Sequence, residues 1–96
     1  MRYEFEAEVW RYSGQAAWHF VTVPAQFADG LKALRGPAQA FGSIRVRAQT
    51  GETVWRTSLF PDSRSGSFLL PLKADVRRYE NLAAGQTARF VLDLEI

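Results

Sequence analysis

The sequence predicts a mainly β fold: a small six-stranded, split antiparallel β-barrel with two short helices. Apolar and polar residues alternate with period two through most of the chain, and turn-forming Gly, Pro and Ser residues interrupt that alternation at short intervals. Only two stretches shift to a helical period. Long strands apolar on one face leave open edges, and closure of the sheet removes them. Ninety-six residues fit a single domain, 1–96.

The first strand spans 2–12, RYEFEAEVWRY, with Tyr3, Phe5, Ala7 and Val9 on the inner face and Glu4, Glu6 and Glu8 on the wet one. Ser13-Gly14-Gln15 turns the chain into a second strand, AAWHFVTV (16–23), whose pairing Pro24 ends. In 24–36, Phe27, Leu31 and Leu34 recur at four and three residues, which predicts a helix with Pro at its start and Gly36 past its end. Gly36-Pro37 opens a loop to Gly42.

Strands at 43–49 and 52–60 form a hairpin around Thr50-Gly51. With that pair as a two-residue turn, Ala48 falls opposite Thr53, Val46 opposite Trp55, and Ile44 opposite Thr57, so Trp55 points inward. Arg45, Arg47 and Arg56 then share the outer face, with Arg45 directly opposite Arg56. A polar loop, 61–66, leads to a fifth strand at 67–72. A second helix is expected over 73–82, with Val76, Tyr79 and Leu82 on its apolar side and Gly85 stopping it. The last strand, 86–96, turns Ala88, Phe90, Leu92, Leu94 and Ile96 inward.

At 47% hydrophobic and 23% charged, the chain has the make-up of an ordinary globular domain. Cysteine is absent, which excludes disulfides, thiolate nucleophiles and cysteine metal sites and leaves packing to hold the fold. The opening MRYEFE alternates instead of beginning an apolar leader, and no segment approaches the ~20 apolar residues of a membrane span. The expectation is a cytoplasmic protein without membrane contact, as a monomer or weak homodimer.

The net charge of +2 is small, but its distribution is uneven. Residues 1–31 and 79–96 each carry −2, whereas 32–78 hold nine Lys or Arg against Glu52, Asp62 and Asp75. Ten of the twelve basic residues are Arg, the side chain best shaped for paired contacts with phosphate or carboxylate.

Four segments taken together, WHFVTVP (18–24), SIRVRAQTGETVWRTSLFP (43–61), SGSFLLPLKADVRR (65–78) and AAGQTARFVLDLEI (83–96), resemble the bacterial family catalogued as domain of unknown function 1905. The resemblance implies a small split β-barrel and no known activity. The chain departs from the family pattern at Gln86, where the turn usually carries Asp, and in the 61–66 loop, which has one Gly where members often have two.

No catalytic constellation can be assembled from the residues, so no enzyme activity and no cofactor are expected. His19 is the sole histidine, no serine sits in a nucleophile-elbow pattern, and neither His nor carboxylates stand at metal-ligand spacing. Glu4, Glu6 and Glu8 form a straight ladder, not the converging oxygens a hard cation needs. Arg45, Arg47 and Arg56, with Lys73, Arg77 and Arg78 on the second helix, are the candidate contacts for an anionic partner or nucleic acid. Trp10 is the candidate stacking residue, while Trp18 and Trp55 are expected in the core. The function expected is a non-catalytic binding or interaction module. The alternative is binding of nucleic acid or another polyanion through the Arg-rich strand face and the 73–78 helix.

Overall fold

A computed structural model describes residues 1–14, 17–34 and 42–95. Seven antiparallel strands, β1 (Arg2–Glu8), β2 (Trp10–Arg11), β3 (His19–Thr22), β4 (Ile44–Thr50), β5 (Thr53–Asp62), β6 (Ser67–Pro71) and β7 (Thr87–Leu94), run in the order β1-β7-β4-β5-β6-β3-β2. The two edge strands of this curled sheet are halves of one continuous segment. β1 pairs with β7 and β2 pairs with β3, and only Val9 separates them. Val9 is fully buried, its N–H donates to the Gln86 carbonyl (2.8 Å), and its own carbonyl accepts the Gly85 N–H (2.7 Å). The expected single strand at 2–12 therefore bends at Val9 and counts as two, which raises six strands to seven.

β5 is the second corner. Its residues as far as Leu59 pair with β4, and Phe60, Pro61 and Asp62 pair with β6, so this strand runs two residues beyond its expected end. The sheet thus has two halves, β1-β7-β4-β5 and β5-β6-β3-β2, closed around one core. Val21, Val46, Leu59, Phe68, Leu70, Phe90 and Leu92 are fully enclosed there. Phe5 meets Phe90 at 5.9 Å between ring centroids, and Trp55 is 8% exposed, inward as its alternation requires.

The β4–β5 register differs by two residues from the expected one. Thr50 pairs with Thr53 across a Gly51-Glu52 turn. Gly51 takes φ +55 and Glu52 does not go positive, the pattern of a type II′ turn, which wants Gly at its first central position. A slip of two preserves faces but changes partners. Ala48 is opposite Trp55, Val46 opposite Thr57 and Ile44 opposite Leu59. Arg47, not Arg45, faces Arg56; Arg45 faces Ser58.

The expected helix at 24–36 begins as a 3-10 turn, Ala25–Phe27, and continues as α1 (Ala28–Leu34). Positions 35–41, including the expected Gly36-Pro37 loop, lie outside the described residues, as do Gln15, Ala16 and Ile96. Leu31 is fully buried, and Phe27 packs edge-on against Tyr3 at 5.0 Å. α2 is only Ala74–Tyr79. Asn81, at φ +58, ends it ahead of Gly85: Leu82 N–H bonds the Arg77 carbonyl (2.8 Å) and Asn81 N–H the Arg78 carbonyl (3.4 Å), a Schellman closure. Of the three residues expected on its apolar side, Val76 is buried and Leu82 packs against the core, but Tyr79, the last helical residue, is 71% exposed with the Arg78 guanidinium over its ring. Gln86 fills the place usual for Asp by accepting the Ala83 N–H on Oε1 (2.6 Å).

Candidate functional site

The outer faces of the two sheet halves differ in chemistry. On the β1-β7-β4-β5 half, one row crosses four strands as Arg2, Asp93, Arg47 and Arg56. Arg2 Nε lies 3.1 Å from Asp93, Arg47 4.0 Å from Asp93, Arg56 3.2 Å from Glu95, and Arg45 3.8 Å from Glu95. Arg89 pairs with Glu4. The hydrogen bond from Arg2 lowers the Asp93 pKa and raises that of Arg2, against a smaller desolvation effect. Arg2, Arg45, Arg47, Arg56 and Arg89 are matched in number by Glu4, Glu6, Glu8, Asp93 and Glu95. The acidic ends of the sequence thus fold onto its basic middle, and the Arg ladder faces carboxylates.

On the β5-β6-β3-β2 half, the outward residues are apolar. Trp10 pairs with Phe20, Phe20 with Pro71, Thr22 with Leu69, and Leu69 with Phe60. Phe20 is a buried floor with Trp10 and Trp18 at 5.2 and 6.1 Å between ring centroids. Trp10 is half-buried and fixed by donation from Nε1 to Thr22 Oγ1 (3.0 Å). Trp18, expected in the core, is instead 62% exposed. Val21 and Val23 hold the inner face of this segment, so Trp18, in phase with Phe20, is turned outward by the same alternation.

Trp10, Tyr12, Trp18, Phe20 and Leu69 line a cleft of about 500 Å³, with Asp62 and Arg64 at its polar side. The turn after β5 holds this side in place: Asp62 accepts the Ser65 N–H on Oδ2 (3.2 Å) and the Gly66 N–H on its carbonyl (2.9 Å). Across Trp18 and Phe20 lies a second groove of about 360 Å³, which reaches His19, Lys73 and Arg77. Arg77 donates Nε to the Leu72 carbonyl (3.3 Å), and His19 Nδ1 lies 2.9 Å from the Ala17 carbonyl. Arg78 turns away to Asp75 and lies over the Tyr79 ring. Among the described residues, Arg64, Lys73 and Arg77 join no ion pair.

The structure therefore brings Trp10, Lys73 and Arg77 to one surface and leaves Arg45, Arg47, Arg56 and Arg78 elsewhere. Tyr12, Trp18, Phe20 and Arg64 belong to that surface although the sequence reading did not select them. A signal was available: a strand wet on one face alternates, yet WHFVTV is apolar toward both sides, with Val21 and Val23 inside and Trp18 and Phe20 outside. No described helix is long and apolar enough to cross a membrane, and no three His, Asp or Glu among the described residues cluster as metal ligands.

No curated protein matches the chain. The family model described as Domain of unknown function (DUF1905) matches residues 5–92, which include both grooves and Arg45, Arg47 and Arg56, but not Arg2, Asp93 or Glu95. The chain belongs to that family.

Proposed function

We propose that this domain is a non-catalytic binding module and that it binds through the aromatic outer face of β2, β3 and β6. One observation carries this reading: Trp18 and Tyr12, 62% and 48% exposed, stand beside a cleft floored by Phe20. Each large ring left in water forgoes about 25 cal/mol per Å² of apolar burial, and contiguous aromatic surface of this kind marks interaction sites. The cleft combines apolar walls with two charged groups on one side, Asp62 and Arg64, as ligand sites do. The proposal includes a cytoplasmic setting, which the absence of cysteine fits.

The second reading is polyanion binding through Arg45, Arg47 and Arg56 with the α2 cations. Lys73 and Arg77 favour part of it, since neither has a carboxylate partner among the described residues. The ladder does not, because its guanidiniums already face Asp93 and Glu95.

The test is a titration of isotope-labelled protein with ring-bearing fragments such as indole, nucleosides and monosaccharides, followed by amide and indole NMR signals. Shifts should gather at Trp10, Tyr12, Trp18 and Phe20, and Trp18→Ala should abolish them without loss of fold. Shifts gathered on the β1-β7-β4 face, or none with any fragment, would refute the reading.

A further inference from the structure

We infer that the aromatic face takes a single-stranded nucleic acid, with bases stacked on Trp18 and Tyr12 and backbone phosphates held by Arg64, Lys73 and Arg77. This inference rests on the binding-module reading and names its ligand class. Trp18 and Phe20 form the wall common to both grooves, so one ridge of rings has Arg64 on one flank and Lys73 with Arg77 on the other. Those three cations lack carboxylate partners among the described residues, whereas the ladder arginines face acids. Three unpaired cations therefore flank the exposed rings, whereas Arg11 and Lys32, equally unpaired among the described residues, line neither groove.

A single strand presents the matching pattern: apolar base faces alternating with phosphates along a flexible backbone. A duplex keeps its bases stacked within itself and would leave Trp18 idle. A sugar or an apolar peptide would use the rings and Asp62 but leave three cations without a role. The Arg64 side also carries Asp62, which keeps its negative charge while its Oδ2 accepts the Ser65 N–H, so the Lys73 and Arg77 flank is the stronger phosphate side.

The experiment is fluorescence anisotropy on a labelled oligothymidylate of about eight nucleotides, within the site size of small strand-binding domains. Parallel arms use a duplex of the same length and inorganic polyphosphate, over a range of salt. The single strand should bind more tightly than either. Trp18→Ala should weaken it by about tenfold or more, the usual worth of one stacked base, with the thermal midpoint unchanged; Tyr12→Ala serves as a second ring variant. The Lys73→Ala, Arg77→Ala double variant should flatten the salt slope by about 1.4, two phosphates' share on a single strand. Arg45→Ala with Arg56→Ala should leave affinity and slope unaltered.

Absence of oligonucleotide binding at low salt, equal binding of duplex and polyphosphate, or indifference to Trp18→Ala would each overturn the inference. So would a dimer in sedimentation that hides Trp18, which would assign the face to a second copy. If ring fragments still bind the cleft in those cases, only the nucleic-acid assignment falls; if they too fail, the binding-module reading falls with it.

Discussion

Arg47 lies directly opposite Arg56 in the β4–β5 ladder and directly opposite Asp93 in the β4–β7 ladder. Like charges facing each other across a strand pair are unfavourable, and β7 supplies the compensation by bringing Asp93 and Glu95 to the two guanidiniums. The Arg row thereby has a structural explanation that needs no anionic partner.

Asp93→Asn should lower stability slightly at neutral pH, because exposed ion pairs contribute little. The folded Asp93 pKa is lowered, so its contribution is present above the unfolded value of about 3.9 and disappears as pH falls through the folded value. Thermal midpoints of the native chain and the variant should accordingly differ at pH 7 and converge as pH falls through the folded Asp93 value. A gap that widens in acid would contradict the assignment.

Trp55 is enclosed beside Ala48, and its indole Nε1 has no hydrogen-bond partner among the described residues. Trp55→Ala should cost about 3–5 kcal/mol, a large part of the ~5–10 kcal/mol available to a domain of this size. Trp55→Phe should cost less than half as much, since it removes a buried donor that is already unsatisfied. Urea denaturation of both variants checks the order.

Asn81 ends α2 in the left-handed region, where Gly pays no Cβ penalty. Asn81→Gly should be neutral or stabilise by up to ~0.5 kcal/mol, and Asn81→Ala should destabilise by about 1 kcal/mol. The same denaturation measurement decides it; equal effects of the two substitutions would show that helix termination does not depend on this residue.

Trp18→Ala and Tyr12→Ala should each change stability by no more than about 0.5 kcal/mol, as exposed positions outside the core do. A loss on the scale of Trp55→Ala would mean that Trp18 is a packing residue and that the cleft is an accident of the fold.

The barrel was legible because its inner face obeys period two: Phe5, Val46, Trp55, Phe90 and Leu92 all point where alternation sends them. What escaped was set by geometry between segments. The bend at Val9 depends on hydrogen bonds to Gly85 and Gln86, some seventy-five residues away, and no local pattern announces it. The two-residue slip in the hairpin turned on Gly51 occupying the first instead of the second central turn position, a choice that leaves every face unchanged. For the site, composition drew attention to the Arg-rich strands, but ion pairing is a property of neighbouring strands and became visible only when β7 lay beside β4. Lys73 and Arg77 stand out by their spacing of four; Trp18 is expected in the core only if its face of β3 is the inner one, and Val21 and Val23 hold that place instead.

The three indole N–H signals test the central claim most directly, because they sample the exposed ridge at Trp18, the cleft lining at Trp10 and the core at Trp55 in one spectrum. During titration with oligothymidylate, the Trp18 signal should move most, the Trp10 signal less because Thr22 holds it, and the Trp55 signal should stay still inside the barrel. Movement of Trp55 equal to that of Trp18, or shifts confined to the Arg47 and Asp93 amides while Trp18 stays fixed, would contradict a binding surface on the aromatic face.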